Sequence, residues 1–171
     1  GVINHKTLRQ LSSFLVLLVC TGNTCRSPMA EMLFRKLVSE RLCCADRELR
    51  ERGLDVFSAG VGAWENLPAS PEAVQVMREH GLDLTEHLSR RVNRVMIERS
   101  TLVLALTGRH RDLLLNECPA LGARIQLLDR GGRDVHDEPQ HADQVPRAPV
   151  DGRHGGAGHR FALLLFRARA V

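Results

Sequence analysis

Phe14-Leu15-Val16-Leu17-Leu18-Val19-Cys20-Thr21-Gly22-Asn23-Thr24-Cys25-Arg26-Ser27-Pro28 joins an apolar run to a polar turn and then to a helix start. The unbroken apolar run 14–19 reads as a strand buried on both faces, as in parallel sheets covered by helices. Gly22 loosens the turn that follows. Pro28 suits the first turn of a helix, and Met29, Met32, Leu33, Leu37 and Leu42 predict an amphipathic helix over 28–43. Strand, tight turn and helix make the first half of a parallel α/β unit.

The same turn carries chemistry. Ligands of open α/β sheets bind beyond the carboxyl ends of strands, and Cys20 stands at such an end. Backbone N–H groups of a turn feeding a helix can converge on an anion. Arg26 brings a planar, permanently charged fork that matches two phosphoryl oxygens. That field favours Cys20 as a thiolate nucleophile, and attack would give a cysteinyl-phosphate. The loop residues Thr21, Gly22, Asn23, Thr24, Cys25 and Ser27 then form the expected cradle. Ser27 can donate to the Cys20 sulfur, and Asn23 suits a brace that bonds outward. Ser58 and His87 are candidates to meet Asn23 from behind. The competing reading of Cys20 is a small buried apolar residue at a strand end; strand, loop, Arg-Ser, Pro and helix in sequence argue for the nucleophile.

The rest of the chain repeats the alternation. Residues 56–61 and 101–106 read as strands, and 125–128 as a fourth, shorter one. Helices are predicted over 72–80, stopped by Gly81, over 92–97, and over 110–118, closed by Pro119. The order β-α-β-α-β-α-β predicts an α/β fold: a three-layer α-β-α sandwich on a four-stranded parallel sheet. Residues 1–13 read as an N-terminal extension and 14–139 as the domain. Residues 140–171 form an atypical segment rich in Gly, Pro and His, with a short apolar helix expected over 160–170.

Composition narrows the options. The 171 residues are 43% hydrophobic, enough for one packed core. No stretch has membrane-spanning length, and the N-terminal residues lack a signal-peptide plan, so a cytoplasmic protein is expected. Five cysteines without framework spacing suit free thiols in a reducing compartment. A formal charge of +4 suits anionic substrates. Without Tyr and with one Trp, the basic residues do not interleave with aromatics, so no nucleic-acid partner is expected. His136, His141, His154 and His159 have no metal-site spacing, and neither metal nor cofactor is expected.

Val19-Cys20-Thr21-Gly22-Asn23-Thr24-Cys25-Arg26-Ser27-Pro28-Met29-Ala30-Glu31 resembles the signature of the low-molecular-weight protein phosphatases, a family that includes tyrosine and arginine phosphatases and related arsenate reductases. Ser58-Ala59-Gly60, Pro71-Glu72-Ala73, Asp83–Arg90 and the strand 102–106 support the likeness, which spans about 14–139. The resemblance implies Cys20 as nucleophile, Arg26 as phosphate ligand, Ser27 against the thiolate, and Asn23, Ser58 and His87 as loop support. It also implies that Cys25 pairs reversibly with Cys20; a plain loop-packing role is the alternative. Trp64 is either a pocket-lining lid residue or part of the core. Thr24 is similar to the arginine-phosphatase branch, where tyrosine phosphatases tend to carry a larger aliphatic residue. Phosphorylated protein is therefore the expected partner, phosphoarginine before phosphotyrosine, for a monomer acting without a metal.

The family's proton donor is an Asp in an Asp-Pro pair. Asp137 fits best by position, although Glu138 separates it from Pro139; Asp134, Glu138 and Asp129 are the reserves. An arsenate reductase would need a cysteine relay, and Cys43, Cys44 and Cys118 are not in a paired late-loop arrangement. A phosphate-binding module without turnover is the third option.

Overall fold

The computed structural model describes residues 13–128. The predicted segment 140–171, most of the extension 1–13 and all four acid candidates lie outside the described residues.

Four strands form one parallel sheet in the order β2-β1-β3-β4: β1 Phe14–Cys20, β2 Leu54–Gly60, β3 Leu102–Ala105 and β4 Ile125–Leu127. Four helices connect them: α1 Arg26–Arg41, α2 Pro71–Glu79, α3 Arg94–Arg99 and α4 Gly108–Glu117. Single 3-10 turns at Asp46–Glu48 and Pro119–Leu121 are additions to the expected elements.

β1 is central, and Val16 to Val19 have no exposed surface. Alternation along the strand sends Leu17 and Val19 to one face, where they pack with Ile97 of α3 and Leu114 of α4. The opposite face carries Cys20 toward α1, and α1 in turn lends Met29 and Met32 to the cluster of Ala69, Ala73, Met77 and Leu84 around α2. The result is the expected three-layer α-β-α sandwich.

The expected apolar stripe of α1 needs correction. Leu33 and Leu42 are 39% and 42% exposed, while Phe34 is buried together with Ser27, Pro28 and Ser39. The helix starts two residues before Pro28 and ends at Arg41, and its buried face is the one that carries Ser27, Phe34 and Ser39 rather than Leu33. α3 likewise begins at Arg94 rather than 92, because the Asn93 side chain accepts from the Met96 N–H and fixes the start. Gly81, at φ 70°, follows α2 as the left-handed stop that its position suggests.

Candidate active site

Parallel register aligns the strand ends. Cys20 pairs with Gly60 and Val19 with Ala105, so the carboxyl ends of β1, β2 and β3 lie together. The chain leaves β1 for β2 on one side and returns to β3 on the other, so a crevice opens between the ends of β1 and β3. Helices α2, α3 and α4 start with side-chain caps from Ser70, Asn93 and Thr107. α1 has no side-chain cap at Cys25 and no acidic residue in its first turn. Its opening turn, directly after the loop 21–25, keeps the positive end of a four-turn helix for another anion.

Asn23 is the hub of the loop. It is fully buried and takes a left-handed backbone, φ 54°. Its N–H donates to Cys20 Sγ at 3.3 Å, which curls the loop back over the thiol. Its Oδ1 accepts from the Arg90 N–H at 2.8 Å, which fixes the amide's orientation. The Nδ2 group must then donate, and it does so to Ser27 Oγ and to Ser58 Oγ, each at 2.9 Å. Its carbonyl accepts from His87 Nε2 at 2.7 Å, so that ring nitrogen carries a proton.

Proton accounting then runs through the serines. Ser58 spends its proton on Glu31 Oε2 at 2.7 Å. Ser27 Oγ, already an acceptor from Asn23, lies 2.9 Å from Cys20 Sγ and 3.4 Å from the Ala59 carbonyl; toward a thiolate only Ser27 can be the donor of the shorter contact. A Cys20 thiolate would thus have donors in Ser27 and the Asn23 amide. Glu31 closes the chain of bonds: burial pushes its carboxyl above the usual range, against the Ser58 hydrogen bond and nearby Arg35, Arg90 and His87, which hold it down.

Gly60 closes the loop from the sheet side. A Cβ there would lie 2.3 Å from the Thr21 carbonyl, 2.9 Å from Ala63 Cβ and 3.0 Å from the Asn23 nitrogen. The Val61 and Gly62 N–H groups donate to the Cys20 and Thr21 carbonyls at 2.9 and 3.0 Å, which holds the two chain segments at that separation.

Arg26 is exposed at the loop's outer side, and its Nη2 donates to Thr21 Oγ1 at 3.2 Å. Thr24 is partly buried and its carbonyl accepts from Ser70 at 2.7 Å; its Oγ1 lies 3.7 Å from where a Cβ on Gly22 would sit. Cys25 packs on the Ala69, Ala73, Met77 and Leu84 cluster, and Cys20 and Cys25 are both free thiols. Trp64 is 79% exposed, so the core alternative does not hold for it. Its carbonyl accepts from Ser89 Oγ at 2.5 Å, which ties its loop to the segment bearing His87 and Arg90.

The structure therefore brings Cys20, Asn23, Ser27, Ser58 and His87 into one connected network, with Arg26 and Thr21 beside it. Asp137 is outside the described residues. Sequence reading missed Glu31, Gly60, Arg90 and His110. Glu31 ends the stretch 19–31 that carries the family resemblance and sits four residues after Ser27, one helical turn along; these are the signals that could have found it. Among the described residues no helix is long and apolar enough to cross a membrane, and no cluster of His, Cys, Asp or Glu could hold a metal ion.

The buried Cys20 sulfur, within hydrogen-bond reach of Ser27 and the Asn23 amide, stands at the mouth of a parallel α/β sheet and before an uncapped helix. Residues 15–144 match the family of low molecular weight phosphotyrosine protein phosphatases, and the chain belongs to that family. It is similar to a probable low molecular weight protein-tyrosine-phosphatase, EpsP, of Ralstonia nicotianae, at 36% identity over 71% of this chain and 76% of that protein. It is also similar to the protein-arginine-phosphatase of Bacillus subtilis, at 39% identity over 60% of this chain and 61% of that protein. Among solved structures, the low molecular weight protein tyrosine phosphatase from T. tengcongensis is 31% identical, with a TM-score of 0.62 over 91% of this chain and 95% of that one. Both branches are represented at comparable similarity.

Proposed function

We propose that the chain is a metal-independent protein phosphatase that works through a cysteinyl-phosphate and prefers phosphoarginine. The observation that carries the reading is the sulfur of Cys20, within 2.9 Å of Ser27 Oγ and 3.3 Å of the Asn23 N–H, in front of the open N-terminus of α1. Cys20 thiolate attacks phosphorus while Arg26 and the loop amides bind the non-bridging oxygens. The bond from phosphorus to the leaving oxygen or nitrogen breaks, and that atom takes a proton from Asp137. Water then attacks the cysteinyl-phosphate and returns a proton to Asp137. The S–P bond breaks, and inorganic phosphate leaves with the thiolate restored. The hydrogen bond from Ser27 eases that departure by stabilising the sulfur anion.

Thr24 carries the substrate preference. A hydroxyl at the pocket floor can orient a polar guanidinium or a water, while a larger aliphatic residue would favour an aromatic ring. The test is hydrolysis of phosphoarginine and phosphotyrosine peptides side by side, with Thr24→Ile for comparison. The variant is expected to shift the kcat/KM ratio toward phosphotyrosine; equal effects on both substrates would contradict the floor role. Phosphotyrosine is the second reading, favoured by the family's description and by the names of relatives such as EpsP. A thiol relay for arsenate is less well supported: Cys118 is packed in the core with Leu114 and Ile125, and burial pushes its thiol up, away from the thiolate that a relay needs.

A further inference from the structure

We propose that His110 is a positioning residue for Arg26, donating from Nε2 to Thr21 Oγ1 so that this oxygen is held as an acceptor for the guanidinium. The inference rests on the reading of Arg26 as the ligand of the phosphoryl oxygens. His110 lies in the first turn of α4, after β3, across the crevice from the loop that follows β1. It is 1% exposed, yet both ring nitrogens meet hydroxyls: Nε2 meets Thr21 Oγ1 and Nδ1 meets Thr107 Oγ1, each at 2.9 Å. Thr107 Oγ1 also accepts from the His110 N–H at 3.3 Å as the cap of α4.

The proposed tautomer has Thr107 Oγ1, which accepts from the backbone, donating its own proton to Nδ1, so that the ring proton sits on Nε2. Nε2–H then donates to Thr21 Oγ1, which also accepts from Arg26 Nη2 at 3.2 Å. A histidine serving only to cap its own helix would need the Thr107 side alone. The bond from His110 couples the helix after β3 to the hydroxyl that the guanidinium meets.

The test is calorimetric binding of inorganic phosphate to the full chain under reducing conditions, with circular dichroism to check folding. Arg26→Ala is expected to abolish most binding. His110→Phe and Thr21→Val are each expected to weaken it roughly tenfold, the scale of one hydrogen bond within a charged network. The double variant is expected to be no weaker than either single one, and His110→Gln, which retains a donor, is expected to recover most of the affinity. Wild-type affinity in His110→Phe, multiplicative losses in the double variant, or no recovery in His110→Gln would each overturn the proposal. If Arg26→Ala binds phosphate normally, the phosphatase reading fails and this inference with it; if Arg26→Ala fails to bind while His110→Phe binds normally, only this inference fails. Should His110→Phe not fold, histidine 15N spectra of the wild-type chain decide: a protonated Nε2 is expected, and an unprotonated Nε2 overturns it.

Discussion

Asn23 holds the loop through its backbone and through both ends of its side chain. Its amide meets the thiol, its Nδ2 group serves two serines, and its Oδ1 anchors on the segment of Arg90. Asn23→Ala removes the three side-chain bonds and leaves an alanine at φ 54°, so it should cost about 3 kcal/mol of stability and lower kcat. Urea unfolding and steady-state kinetics measure the two effects. A cost below about 1 kcal/mol would mean that the network is slack. Gly60→Ala is expected to damage the site by another route, because its methyl would press on the Thr21 carbonyl, which is backbone and cannot swing away. At this scale the sequence was partly legible. The nucleophile, arginine and brace were readable because they are packed into eight consecutive residues. Arg90 and His110 were not: Arg90 meets Asn23 through its backbone N–H, which its residue type does not mark, and His110 stands at a helix start that only the sheet order brings beside the loop.

Helix ends separate structural from ligand-facing termini. Asn93 caps α3 through its bond to the Met96 N–H, so Asn93→Ala should cost about 1 kcal/mol in urea unfolding and leave phosphate affinity unchanged. α1 lacks such a cap, and an anion at its N-terminus should stand in for one. Glu31, in the second turn of that helix, gives the fold a pH signature. Burial raises its folded-state carboxyl above the value it has in the unfolded chain. Between the two values the folded chain holds a proton that the unfolded chain has released, so this group's stabilisation falls as pH rises through that window. Glu31→Gln removes the titration and can still accept from Ser58. The stability of Glu31→Gln minus wild type should therefore rise as pH climbs above the ordinary carboxylate range; a flat or falling difference would contradict a buried, proton-holding carboxyl. Element existence was readable from apolar runs and Pro-Gly punctuation. The facing of α1 was not, because Leu33 and Phe34 are neighbours of similar hydrophobicity, and packing against the sheet, not the local pattern, decides which of them turns inward.

At the scale of the molecule, the parallel sheet gathers loops from distant parts of the chain to one edge, and the sulfur sits where they converge. Phosphate binding to the folded chain alone should raise Tm with ligand concentration, and Arg26→Ala should lose that shift. The acid is expected from the late segment. Asp137→Asn should slow poor leaving groups most, because only they depend on a proton delivered in the first step. Unchanged kcat/KM in Asp137→Asn would move the role to Asp134 or Glu138. The central claim is the covalent step at Cys20, and acid-quenched mass spectrometry during turnover of a phosphopeptide tests it most directly. The account expects a phosphate adduct on the peptide that carries Cys20, with Cys20→Ala forming no adduct and releasing no phosphate. Continued hydrolysis by Cys20→Ala, or an adduct on another residue of the wild-type chain, would contradict it.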